Sequence, residues 1–133
     1  ITCRDWSSDV CSSDLLDDDG LCELARVLMA ETINAANACG ADIPKPIKML
    51  DRMFDQTATM GHYKTSMLLD YLDKRPLEAD AILGQPLRQA QAAGVQVPLM
   101  AMQFQLVRHL DLVNRGLVDP RGDSNAPEAV AAG

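Results

Sequence analysis

The chain has 133 residues and a mass of 14.4 kDa, with 47% apolar and 23% charged residues, the proportions of one globular domain and not of a disordered or fibrous chain. Nineteen acidic residues against twelve Lys and Arg give a formal charge of −7, which repels phosphate backbones and argues against a nucleic-acid partner. No run reaches the roughly 20 apolar residues of a membrane span, and Cys3, Cys11, Cys22 and Cys39 form no CxxC pair of the kind that ligates zinc.

Residues 1–15, ITCRDWSSDVCSSDL, stand apart: they hold four of the six serines, the lone Trp6 and two of the four cysteines, without helical or strand period. A signal peptide would need an apolar central run, which is absent. Asp5 to Leu15, DWSSDVCSSDL, resembles the in-frame translation of a short-read sequencing adapter. Residues 1–15 are therefore read as a non-native, disordered segment and set aside, with Leu16 lying mid-protein. Without them eleven basic residues face sixteen acidic ones, and Cys22 and Cys39 remain as unpaired thiols in a reducing cytoplasm.

From Leu16 onward the chain reads as helices. Asp17, Asp18 and Asp19 suit the N-terminus of a helix over LCELARVLMAETINAANACG, and Gly40 suits its stop. Leu21, Leu24, Leu28 and Ile33, with Val27 and Ala35 beside them, form its apolar stripe. Ile43-Pro44-Lys45-Pro46 is expected as extended loop, because each proline restricts the residue before it. A shorter helix is predicted from Ile47 to about Phe54, broken by Thr57 to Gly61. MLLDYLD is predicted helical to about Asp73, and Lys74-Arg75-Pro76 interrupts it. Pro76 suits the first position of the next helix, which runs to Ala93 with Gly94 as its stop. After an extended link at Val95 to Pro98, the last helix carries Leu99, Met102, Leu106, Leu110 and Val113 on one side and ends at Gly116. Residues 117–133 have no apolar period and are expected to be a disordered tail.

No strand pattern appears, so the fold class is all-α, with one helical domain over residues 16–116. An apolar face that packs against another domain would stand exposed. At roughly 25 cal/mol per Å², several hundred Å² of such a face forfeits on the order of 5–10 kcal/mol, comparable to a whole domain's stability. The chain is accordingly expected to be marginal alone or to self-associate.

The residues that could carry chemistry cluster in KTSMLLDYLDKRPLEADAILG, 64–84. Ser66 and Asp70 lie one helical turn apart on one face. Glu78 precedes Ala81 and Ile82 at i+3 and i+4, so it borders an apolar surface, where a carboxylate suits proton transfer or hydroxyl binding. The plainer reading makes both helix-start residues: with Pro76 first, Glu78 falls third, where acids satisfy free N–H groups, and pattern alone favours it. His62 and His109 lack ligand spacing, so no metal site is expected, and the seven methionines read as packing.

TSMLLD, then RPLEADAILG, then AGVQVP resembles the C-terminal domain of the 2-dehydropantoate 2-reductase (ketopantoate reductase) family. The pattern falls on Ser66, Met67, Asp70, Glu78, Gly84, Gly94 and Pro98, and the resemblance runs from Leu16 to about Val113. The sequence departs from it at Leu69, often polar in the family, and at Leu77, often Thr.

The resemblance implies a helical C-terminal domain of the kind that follows a Rossmann domain in ketopantoate reductase and 6-phosphogluconate dehydrogenase-like enzymes. The parent would be an NADPH-dependent, cytoplasmic oxidoreductase reducing a 2-keto acid such as 2-dehydropantoate to pantoate, in pantothenate and coenzyme A biosynthesis. By the same resemblance Ser66 binds substrate, Glu78 lies where substrate meets the nicotinamide cofactor, and Asp70 supports them. The family's general-acid lysine lies upstream of the region matching Leu16, as does its Gly-rich fingerprint, and no GxGxxG occurs in this sequence. No catalytic residue is therefore expected here; Lys64 is not that lysine. NADPH would be held mainly by the N-terminal Rossmann domain, and this chain alone would be inactive. The implied partners are the small 2-keto acid, that Rossmann domain and a second copy of the chain, with no nucleic acid and no membrane. The alternative reading is a free-standing helical module that dimerises through the same apolar face without catalysis.

Overall fold

The structure, a computed structural model, describes residues 16–119 apart from His62. The adapter-like segment 1–15 and the tail from residue 120 lie outside the described residues. Among the described residues five α-helices follow one another: α1 (Asp19–Ala38), α2 (Pro46–Thr59), α3 (Ser66–Leu72), α4 (Gln85–Ala92) and α5 (Pro98–Asn114), with a π-helical turn at Asp80–Gly84 leading into α4. The described residues contain no strand, and none of their helices is long and apolar enough to cross a membrane.

α1 begins where Asp18 Oδ1 accepts the Leu21 N–H at 2.8 Å. It packs against α2, α4 and α5, while the π-turn packs against α4 and α5; α3 stands apart from these pairs and buries no residue. The central cluster is Ala35, Leu87, Ala90, Val97 and Met100, with Leu28, Val95, Ala101 and Phe104 packed against it. On the far side of α1 the Arg26 guanidinium lies 4.3 Å above the Phe54 ring and 3.1 Å from Asp51, tying α1 to α2.

Four helices end alike. The N–H groups of Gly40, Lys74, Gly94 and Gly116 return to Asn37, Tyr71, Gln91 and Val113, and the following N–H reaches one carbonyl further back. This pair of hydrogen bonds to the last turn requires a left-handed residue, which glycine provides without a steric cost. At the end of α3 a lysine does it instead: Lys74 has φ 56°.

Several elements depart from the sequence expectation. α2 continues past Phe54 to Thr59, because Thr57 and Thr59 return their hydroxyls to the carbonyls of Met53 and Gln56 and so do not break the helix. The 43–46 link is not uniformly extended, since Lys45 has φ 54°; Asn37 instead fixes the link by accepting the Ile43 N–H at 2.6 Å. Pro76 does not open a helix: residues 75–78 are irregular, and regular bonding starts when the Ile82 N–H meets the Glu78 carbonyl at 3.0 Å. Pro86 has the larger effect, because it offers no N–H to the Ile82 carbonyl and the widened π-turn directly precedes it. Gly84 sits buried in that turn, where a Cβ would stand 2.6 Å from Asp80 Oδ1 and 2.9 Å from Phe104 Cε2.

α5 is turned opposite to expectation. Met102, Leu106 and Leu110 face solvent, and the side directed inward carries Met100, Phe104 and Asp111. Half of the α1 stripe is exposed too, at Leu21, Leu24 and Val27.

Candidate functional site

The three residues singled out by sequence lie on α3 and the irregular segment after it. Thr65, not Ser66, caps α3: its hydroxyl accepts the Leu68 N–H at 3.3 Å. Ser66 is the first helical residue, exposed, and its hydroxyl has no hydrogen-bond partner among the described residues.

Asp70 lies one turn further on, as the spacing predicts, but its carboxylate is engaged. Asp70 Oδ1 accepts from Arg75 Nε at 2.8 Å and Nη2 at 2.7 Å, and Asp73 Oδ2 takes Nη1 at 2.7 Å. The Asp70 hydrogen bond, above all, raises the Arg75 pKa; desolvation opposes it, and the charges of Asp70 and Asp73 add to the rise. Bridging α3 to the segment after it, this clamp fixes how the chain leaves the helix.

Glu78 does not occupy a third helical position. Its φ is 51°, its side chain is exposed, and the Ala81 and Ile82 surface beside it is exposed as well. The residues on either side, Leu77 and Ala79, are buried at 3% and 5% exposure. Leu77 thus fills a core position. Its N–H donates to Asp111 Oδ1 at 3.0 Å, across 34 residues of sequence, while Asp111 Oδ2 meets Arg115 Nη2 at 3.2 Å.

Neither described cavity is lined by these residues. A cleft of about 290 Å³ lies at the α4–α5 corner, beside Gln91, Val95, Val97 and Ala101. A smaller one of about 100 Å³ lies between Thr32, Ile82, Pro86 and Met100. Ser66 and Glu78 are both exposed, and the Asp70–Arg75 clamp lies between them along the chain. A hydroxyl there can donate to a substrate carboxylate or carbonyl, and a carboxylate can accept from hydroxyl or amide donors. No cluster of His, Cys, Asp and Glu among the described residues could hold a metal, and Cys22 and Cys39 are free thiols.

Sequence reasoning missed Arg75, Asp111 and Arg115. The i, i+4 spacing of Asp111 and Arg115 was the one local signal available; the pairing of Asp111 with Leu77 leaves no local trace.

Two comparisons bear on this arrangement. The family model described as "Ketopantoate reductase PanE/ApbA C terminal" matches residues 9–111, starting within the adapter-like segment. A 2-dehydropantoate 2-reductase of Nostoc sp. (strain PCC 7120 / SAG 25.82 / UTEX 2576) is 36% identical over 104 residues, which is 78% of this chain and 32% of that protein. The chain thus spans about a third of the length of the curated relative it matches. With an all-α fold and a family match over most of its length, the chain belongs to the ketopantoate reductase family, as a C-terminal domain.

Proposed function

We propose that this chain is the substrate-side part of an NADPH-dependent reductase that converts a 2-keto acid such as 2-dehydropantoate to pantoate, in cytoplasmic pantothenate biosynthesis. The observation that carries the reading is the similarity to the Nostoc 2-dehydropantoate 2-reductase over 78% of the chain. Ser66 offers an unengaged hydroxyl to the keto acid, and Glu78 offers an exposed carboxylate to hydroxyl or amide donors of substrate and cofactor. Asp70 serves through Arg75, by setting the path of the chain between them.

NADPH, when bound, supplies the hydride. The described residues hold no strand followed by a Gly-rich turn to grip its pyrophosphate, so what they fit is an edge contact by the Glu78 carboxylate. The dinucleotide-binding domain and the general-acid lysine belong, on this reading, to a preceding part of the parent chain.

Joined in frame to that part of the parent, the chain should support NADPH oxidation that depends on 2-dehydropantoate, whereas the chain alone should support none. Ser66→Ala in the joined protein should raise the KM for the keto acid by roughly tenfold or more, the loss expected for a hydrogen bond to a charged group. A folded joined protein that turns over no 2-keto acid refutes the reading.

The uncovered side of α5 favours a second reading, a helical module that pairs with a second copy. Met102, Leu106 and Leu110 are 49%, 58% and 46% exposed, and the exposed Gln105 and His109 lie beside them on the same face. Sedimentation equilibrium tests it: a chain that stays monomeric across the micromolar range removes it.

A further inference from the structure

Glu78 is held in a backbone conformation that L-residues seldom keep unless their surroundings impose it, with φ 51°. Three anchors impose it. The flanking Leu77 and Ala79 side chains are buried, so the residue between them is turned outward. The Glu78 carbonyl accepts the Ile82 N–H at 3.0 Å. On the other side, the Leu77 N–H donates to Asp111 Oδ1 at 3.0 Å.

Asp111 is the least expected of these groups. It is the buried charged side chain among the described residues, at 9% exposure, on the inward face of α5 that also carries Met100 and Phe104. A carboxylate there gives up its hydration, which a leucine would not. What a leucine cannot do is accept the buried Leu77 N–H, which would otherwise be left without a partner. Arg115, four residues on, balances the charge through Oδ2 at 3.2 Å and leaves Oδ1 to the loop.

We propose that Asp111, held by Arg115, is a positioning residue: by accepting the Leu77 N–H it fixes Glu78 in the left-handed conformation that presents its carboxylate to substrate and cofactor. The proposal rests on the reading of Glu78 given under Proposed function, and a double-mutant cycle in the full-length parent enzyme separates the two. Asp111→Ala should lower kcat/KM by about tenfold, the lower range for loss of a supporting contact. Asp111→Asn, which keeps an Oδ1 acceptor, should recover to within about threefold of the wild type. In a Glu78→Ala background Asp111→Ala should cost nothing further, because both changes remove the same carboxylate from the site.

An Asp111→Ala loss that persists undiminished in the Glu78→Ala background overturns the proposal, since Asp111 would then act on the fold at large. So does an unchanged kcat/KM in Asp111→Ala while Glu78→Ala is impaired. If Glu78→Ala is itself without effect, the functional reading of Glu78 falls and the positioning role falls with it. Amide exchange at Leu77 reads the latch separately, and should accelerate in Asp111→Ala but not in Asp111→Asn; equal exchange in the two variants overturns the latch. Should Asp111→Ala fail to fold, Arg115→Met carries the same cycle with a loss of about threefold that also vanishes beside Glu78→Ala, and no loss from it counts against the proposal.

Discussion

The start of α5 depends on one side chain that is remote in sequence. Val97 precedes the helix and has no side-chain acceptor, and Pro98 has no N–H to satisfy. The Ala101 N–H closes the first helical bond on the Val97 carbonyl at 3.0 Å. That leaves the N–H groups of Leu99 and Met100, and both go to Glu31 in α1: Leu99 N to Oε2 at 3.3 Å, Met100 N to Oε1 at 2.8 Å. Glu31→Ala should therefore cost more than an ordinary cap, because Met100 belongs to the core and its N–H cannot turn to water. Loss of the cap is about 1 kcal/mol and loss of a negative charge at a helix N-terminus about 0.3–1 kcal/mol, so a total of about 1.3–2 kcal/mol is expected. For a domain of this size that lowers Tm by roughly 5–16 °C. Glu31→Gln keeps one acceptor and loses the charge, and should fall about halfway. Circular dichroism melts with urea titrations at constant m measure both. A Glu31→Ala variant within about 2 °C of the parent, well inside the shift expected here, refutes the reasoning.

Gly84→Ala should destabilise by about 1–3 kcal/mol, since its Cβ would meet Asp80 Oδ1 and Phe104 Cε2 inside contact distance, overriding alanine's advantage as a helix former; a raised Tm in calorimetry would refute it. Lys74→Gly should stabilise by about 0.5–1 kcal/mol, because glycine holds φ 56° without the penalty paid by lysine; an unchanged or lowered urea midpoint would refute it. Asp80 accepts Arg88 Nη1 at 2.8 Å and Nη2 at 3.0 Å, and this hydrogen bond first, then the Arg88 charge, holds its pKa below the ordinary carboxylate value. Its contribution is therefore present above the unfolded pKa of about 4 and lost as pH falls through the lower folded value. The stability gap between the parent and Asp80→Asn should close on acidification, and a gap constant with pH contradicts the pairing. Leu106→Ser should change the stability of this chain by no more than about 0.5 kcal/mol, as for a surface position, and a core-sized loss of several kcal/mol would contradict its exposure.

The parts of the fold legible in sequence are those governed by neighbours in the chain. Gly40, Gly94 and Gly116 mark helix ends because a left-handed residue is needed there and glycine supplies it; the fourth such end was read at about Asp73 from the Lys74-Arg75-Pro76 break, where Lys74 takes the same conformation against its preference. Asp18 was legible as an N-terminal signal for the same local reason. Pro76 misled because Pro at a first helical position is a tendency of the sequence, whereas Leu77 is drawn into the core and bonded to Asp111, which bends residues 75–78 away from a helix. Spacing drew attention to Ser66 and Glu78 but favoured plain helix-start roles for both, and only the resemblance gave them functional ones. Nothing local distinguishes an exposed serine after a capping threonine, or a glutamate at φ 51°, from ordinary surface residues.

The orientation of α5 shows where local pattern stops. Both of its long sides are apolar, so a 3.6-residue period identifies stripes without ranking them. Leu99, Met102, Leu106, Leu110 and Val113 make the cleaner stripe, and the buried Asp111 interrupts the other, so the pattern selects the wrong side. The structure is decided by two carboxylates that accept backbone N–H groups at opposite ends of the helix. Glu31 takes the N–H groups of Leu99 and Met100, and Asp111 takes that of Leu77. Met100 and Asp111 are three turns apart on one face, so anchoring both ends fixes the rotation of the helix between them. The buried polar residue on this side is what holds it inward. Its cost is an apolar stripe left facing out on Met102, Leu106 and Leu110, which gives α5 a second surface to cover against another domain or copy.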